Sequence, residues 1–126
     1  MPAHAFRAAV ESGDLDALDD LLAGDVVFRS PAVFKPYEGR ETVTAILRTV
    51  FGVFEDFRYT DELAGDGVHA LIFEARVGDR TLQGMDLIRP DGDGRIGELT
   101  VMVRPASGLM ALAGRMGPAL EAAGVS

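Results

Sequence analysis

The chain has 126 residues, 48% hydrophobic and 25% charged, with a formal net charge of −8 and neither cysteine nor tryptophan. That length suits one domain, which buries roughly two-thirds of its unfolded surface and needs no metal or disulfide to fold. The absence of cysteine excludes disulfides, thiolate metal sites and thiol nucleophiles; the acidic balance argues against nucleic acid or an anionic membrane as partner, since both need a basic patch.

Residues 1–13 lack a basic stretch followed by a long apolar run, so no secretory signal is expected, and no apolar run approaches the ~20 residues of a membrane span. A cytoplasmic protein is the expectation. Residues 3–12 predict a helix with Phe6, Ala9 and Val10 on one face. Ser12-Gly13 ends it, and Asp14 caps a second helix, stopped by Gly24, whose Leu15, Leu18, Leu21 and Leu22 form an apolar stripe. Val26 to Arg29 predicts a short strand, and the Pro- and Gly-marked stretch Pro31 to Gly39 a loop. Helical periodicity returns over 40–54 through Val43, Ile46, Leu47, Val50, Phe51 and Phe54.

From Phe57 the apolar period switches to two, which predicts strands at 57–64, 68–77, 80–89 and 95–104 joined by Gly/Asp hairpin turns. Ser107 is placed to cap a final helix reaching about Ala123, interrupted near Gly117-Pro118. Its Leu109, Met110, Leu112, Ala113, Met116 and Leu120 must cover something, either the mouth of a pocket as a lid or the core and a partner subunit. The second reading requires only apolar burial and is favoured. The whole is one α+β domain over 1–126, with a common core at 3–105 and a C-terminal helix at 106–123.

Reactive groups are scarce. His4 and His69 are the only histidines and Lys35 the only lysine, so a multi-histidine metal centre is excluded and neither metal nor cofactor is expected. Gly92-x-Gly94-x-x-Gly97 matches the dinucleotide fingerprint literally, but it sits between two strands and lacks the helix N-terminus that receives a pyrophosphate. Asp91 and Asp93 resemble the start of a calcium loop whose third ligand position holds Arg95.

Four short motifs stand in a recognisable order: Ser12-Gly13-Asp14, Asp25-Val26-Val27-Phe28, Gly39-Arg40-Glu41 and Asp93-Gly94-Arg95-Ile96. On these the chain resembles the nuclear transport factor 2-like superfamily, which includes ketosteroid isomerases and SnoaL-like cyclases. The resemblance implies a cone-shaped curved antiparallel sheet with helices on its concave face, a cystatin-like roll around an apolar pocket, and a homodimer through the outer sheet face. Ketosteroid isomerases use a general-base Asp just before a Pro, an oxyanion-hole Tyr on the first helix, and an oxyanion-hole Asp on a long strand. The last of these falls on Asp86, but Ser30 precedes Pro31 and Phe6 lies near the Tyr position. The scaffold is kept without two of its three catalytic groups.

A two-residue Gly78-Asp79 loop pairs Val77 with Arg80, which sets Leu71 opposite Asp86, Phe73 opposite Gly84 and His69 opposite Ile88. His69 and Asp86 then share a face as diagonal neighbours, about 7 Å or less between Cβ atoms. They are the candidate catalytic pair. Phe28, Tyr37, Phe54, Leu71, Phe73, Leu82, Gly84 and Leu99 are the candidate ligand-binding residues, with Tyr37 near the cone mouth. The opposite face, with Ile72, Glu74, Arg76, Gln83, Met85, Leu87 and Arg89, suits a dimer contact.

An Asp among Leu, Phe and Ile is costly to desolvate, so its pKa should rise. Unpaired, it stays protonated and donates to a carbonyl; paired with His69, it orients the imidazole as a general base; bonded to a buried Arg or backbone N–H, it only shapes the sheet. Three functions follow: a binding protein for a small hydrophobic molecule, ranked first; an isomerase- or cyclase-type enzyme on a small carbonyl or polycyclic substrate, using Asp86 as acid or oxyanion donor; or a structural dimerisation module. A cone filled by Phe28, Phe54 and Phe73 is the mark of the third.

Overall fold

Residues 69–77 alternate strictly between buried and half-buried positions, the signature of a strand with one face on a core. In the computed structural model, which describes residues 2–125, that strand is the fourth of six. The elements in order are α1 (Pro2–Ser12), α2 (Asp16–Leu21), β1 (Leu22–Arg29), β2 (Tyr37–Glu38), α3 (Arg40–Val53), β3 (Glu55–Ala64), β4 (His69–Val77), β5 (Arg80–Pro90), β6 (Ile96–Arg104) and α4 (Ala106–Ala122). They form a single curved sheet of order β2-β1-β6-β5-β4-β3, with helices over its buried face.

The β4–β5 register is the one the two-residue loop predicts: Val77 pairs with Arg80, Leu71 with Asp86, Phe73 with Gly84 and His69 with Ile88. Gly78 carries the left-handed φ of +62° at the first central position, as a type II′ hairpin requires. The 91–95 turn is closed by Asp91, whose Oδ1 accepts the backbone N–H groups of Asp93 and Arg95, both at 2.9 Å. Neither a phosphate nor calcium is needed to explain that carboxylate.

Several expectations are corrected. The sheet is not wholly antiparallel, because β1 runs parallel to β6. The second helix ends at Leu21 rather than near Gly24, since Leu22 already pairs with Ile96 across the sheet. The 31–39 loop contains the short β2, whose Tyr37 pairs with Phe28. Ser107 caps nothing: α4 starts at Ala106 without a side-chain cap, and it runs unbroken over Pro118. Leu109, Leu112, Ala113 and Met116 before Pro118 and Leu120 after it are drawn to one cover, which outweighs one lost backbone bond, while Met110 stays exposed.

Helix α4 comes close enough to β5 that a side chain at Gly108 has no room. A Cβ there would lie 2.8 Å from Leu82 Cβ and 3.0 Å from the Thr81 carbonyl oxygen. At Gly114, one and a half turns on, nothing lies within 4 Å. Gly114→Ala should therefore raise stability by about 1 kcal/mol through helix propensity. Gly108→Ala should lower it by about 1–2 kcal/mol, because the collision exceeds the same gain. Urea denaturation of the two variants checks the contrast, and equal effects would mean that α4 does not dock tightly at Gly108.

Candidate functional site

The aromatic residues do not fill the space between sheet and helices. They wall a cavity of about 410 Å³. Phe57 is the hub of that wall, stacked on Phe73 at 4.9 Å between centroids and edge-on to Phe51 at 5.5 Å, with Phe54 5.5 Å from both Phe57 and Phe73. Helix α3 contributes Ile46, Leu47, Val50 and Phe51, and α4 closes the space with Leu109, Leu112, Ala113, Met116, Gly117 and Leu120. The C-terminal helix thus covers the cavity, the reading ranked second for it above.

Among the described residues the lining carries three polar side chains, Ser30, Tyr37 and Asp86, and no cationic one. Ser30 is already engaged: its Oγ accepts the backbone N–H groups of Ala32 at 3.0 Å and Val33 at 3.1 Å, closing the turn after β1. Phe6, near the expected tyrosine position, is core at 1% exposure. Asp86 is 5% exposed and lies at the middle of β5, opposite Leu71 on one side and Val101 on the other.

One Asp86 oxygen has a partner. The Tyr59 hydroxyl donates to Oδ2 at 3.2 Å, reaching over β4 from β3. No hydrogen bond to Oδ1 is formed by the described residues, yet no fully buried side-chain polar atom among them lacks a partner, so Oδ1 is the oxygen open to the cavity. Burial pushes the Asp86 carboxyl up to about 7, against which the Tyr59 bond, favouring the charged form, pulls down. Tyr59 is raised as well, first by burial and then by the adjacent Asp86 charge, so its hydroxyl keeps its proton.

The expected His69–Asp86 pair is not made. His69 is buried, stands opposite Ile88 at the start of β4, and does not line the cavity. Tyr59 takes the carboxylate oxygen from the other flank, so the diagonal reach is never closed. Of the eight expected lining residues, Phe28, Tyr37, Phe54 and Phe73 border the cavity. Leu71, Leu82 and Leu99 are core at 0–1% exposure, and Gly84 lies beneath the Phe73 ring. Each belongs to the sheet face but is packed rather than open to the cavity. Face alternation finds the buried side of a sheet and cannot tell packed from open positions.

Tyr59 is a site residue that strand alternation alone does not single out. A signal existed, since a tyrosine hydroxyl usually finds a partner when buried. What hid the partner is the β3–β4 register, which shifts between Glu55 and Arg58 and again between Tyr59 and Asp61, with Asp56 in the left-handed region at φ +52°. Among the described residues no group of three or more His, Asp or Glu side chains is placed to hold a metal ion. No described helix is long and apolar enough to cross a membrane.

A six-stranded curved sheet closed on one face by helices, with a cavity between them, defines the nuclear transport factor 2-like superfamily. Within it the match is specific: residues 3–104 fit the model of the SnoaL-like domain, and the chain belongs to that family. No curated protein matches it. Among solved structures it is similar to a steroid delta-isomerase from Pseudomonas aeruginosa, with 49% identity and a TM-score of 0.91 over 96% of this chain and 90% of that one. An uncharacterised protein with a cystatin-like fold from Silicibacter pomeroyi shares 32% identity and a TM-score of 0.90, over 95% of this chain and 85% of that one. A candidate ketosteroid isomerase from Kribbella flavida shares 20% identity and a TM-score of 0.69 over 83% of this chain and 76% of that one, and shows the fold alone.

Proposed function

We propose that the protein binds a small, neutral, largely apolar molecule that presents a hydrogen-bond acceptor, such as a carbonyl oxygen, to Asp86. The observation that carries this reading is the cavity itself: about 410 Å³, walled by apolar side chains, with one buried carboxyl oxygen opening into it. That volume lies within the range of small-molecule sites, and a few polar groups in an apolar wall are what orients such ligands. A charged acid is disfavoured, because no cationic side chain lines the space. The open cavity also counts against a purely structural module, whose mark is a cone filled with aromatic rings.

A second reading is favoured by the 49% identity to a steroid delta-isomerase. In it Asp86, protonated on Oδ1, donates to a carbonyl oxygen as that oxygen gains negative charge, which is where a pre-aimed donor contributes most. The weakness of this reading is the base. Ser30 is committed to its turn, and no second carboxylate or imidazole of the described residues lines the cavity. Incubation with a β,γ-unsaturated ketosteroid separates the two. Binding by calorimetry with no rise in conjugated-enone absorbance is expected for a carrier or sensor. Turnover abolished by Asp86→Asn would replace it with the enzyme, and neither binding nor turnover of any neutral ketone in a panel would overturn both.

A further inference from the structure

We propose that Tyr59 is a positioning residue: by donating to Asp86 Oδ2 it places the carboxyl proton on Oδ1, the oxygen that opens to the cavity. The inference rests on the binding reading above and adds to it the group that makes Asp86 a directed donor. Without Tyr59 no donor meets Oδ2, and in the empty site the proton is free to occupy either oxygen.

The direction of the bond follows from satisfaction of buried groups. A carboxylic acid that used Oδ2–H to donate to the phenol would leave the Tyr59 hydroxyl hydrogen without an acceptor, since Asp86 is the hydroxyl's partner among the described residues. With Tyr59 as donor, every group is placed: Oδ2 accepts, and Oδ1–H is left for the cavity. When Asp86 ionises, the same bond persists and the cavity meets a bare carboxylate oxygen instead. The site then changes from a donor to an acceptor at one atom.

The phenol is held well enough to impose this choice. The Arg7 guanidinium lies over its ring at 5.6 Å, fastened in turn to Glu62 at 3.1 Å and Glu11 at 3.3 Å. Phe57 packs edge-on at 4.9 Å and Phe73 at 6.4 Å. The titratable and charged groups around the pair are therefore few. From α1 come Arg7 and Glu11, near Tyr59; from β2 Tyr37, on the cavity wall; from β3 Tyr59 itself and Glu62, which holds Arg7; from β4 His69, on the same face but unbonded to Asp86. Helices α3 and α4 present only apolar residues and Gly117 to the cavity, and β6 presents Val101.

The test has a ligand-free arm and a ligand arm. In carboxyl-carbon NMR of protein labelled at Asp, the Asp86 signal should titrate at a midpoint at least half a pH unit higher in Tyr59→Phe than in the parent, because a bond that favours the charged form is gone. An unchanged or lower midpoint overturns the proposal, and a merely structural Tyr59 would not move it upward. In calorimetry with a steroidal α,β-unsaturated ketone, affinity in the parent should fall as pH rises through the Asp86 midpoint. In Tyr59→Phe that fall should move to higher pH, with the low-pH affinity weakened about 3- to 10-fold by loss of aim. If the ketone binds neither protein while the NMR shift appears, the binding reading fails for that ligand class and the positioning role stands. Should Tyr59→Phe fail to fold, the parent and Asp86→Asn still decide. A slowly exchanging Tyr59 hydroxyl proton that shifts across the Asp86 titration supports the bond, and one that exchanges freely and ignores Asp86 overturns it.

Discussion

Asp86→Asn is expected to stabilise the fold by about 4 kcal/mol at pH 8 and to leave it nearly unchanged at pH 4. The carboxyl titrates at about 7 in the folded chain against 3.8 for the free group, because burial disfavours its charge. Its pKa is raised, so its contribution is fully present below pH 3.8, shrinks as pH rises toward 7, and is absent above that. A gap of about three pH units is worth about 4 kcal/mol. Asparagine does not titrate and is nearly the shape of the protonated acid. Its oxygen keeps the Tyr59 bond and its N–H replaces Oδ1–H toward the cavity. All other titrating groups are common to both proteins, so the difference between their urea-denaturation free energies isolates this one residue. A difference that does not vary with pH would show that Asp86 is ordinary and solvated. The same variant divides the functional readings: a donor site retains its ketone above pH 8, where the parent loses it, whereas turnover that relies on stabilising a developing oxyanion falls, because an amide N–H is a weaker donor than a carboxyl O–H.

Gly84→Ala is the substitution expected to harm the fold most for its size. A Cβ at Gly84 would stand 2.1 Å from Cζ of Phe73 and 2.6 and 2.7 Å from its two Cε carbons. No rotation of a ring already packed on Phe54 and Phe57 relieves that, so the cost should reach or exceed the ~3 kcal/mol usual for overpacking. Phe73→Ala, which leaves a void under the same cluster, should cost about 3–5 kcal/mol. Combined, they should cost less than the two separately by about 1–2 kcal/mol, since the new methyl enters space the ring has left. Thermal and urea unfolding of the cycle reads this coupling directly. Additive effects, or a Gly84→Ala loss below about 0.5 kcal/mol, would mean the ring does not rest on the glycine backbone. In Gly84→Ala the displaced ring has only the cavity to move into, so ketone binding should fall as well.

These two experiments fall on the part of the site that was readable from residue order. A two-residue turn at Gly78-Asp79 sets every pair along β4 and β5, because hairpin register is a local property of the loop. It put Asp86 on the buried face and Gly84 opposite Phe73 before any packing was known. Element types followed from periodicity for the same reason: amphipathic spacing is written within each segment. The family followed from the order of those segments, and residues 3–104 bear it out.

Everything that depends on which distant segments meet was settled by packing. The parallel β1–β6 pair joins residues some seventy positions apart, and no local signal encodes its direction. Bulges in β3 shift its register, so Tyr59 rather than His69 reaches Asp86. The apolar stripe of α4 announced burial without naming what it buries; its place over the cavity depends on Gly108 sitting against β5. Composition strips the chain of cysteine and leaves it one lysine and two histidines, so its chemistry falls to its 20 acidic residues. Alternation singled out Asp86 among them. Only the folded chain gave that carboxyl a phenol on one oxygen and an open space beside the other, because a hydrogen bond and a cavity are relations between elements and neither exists within one.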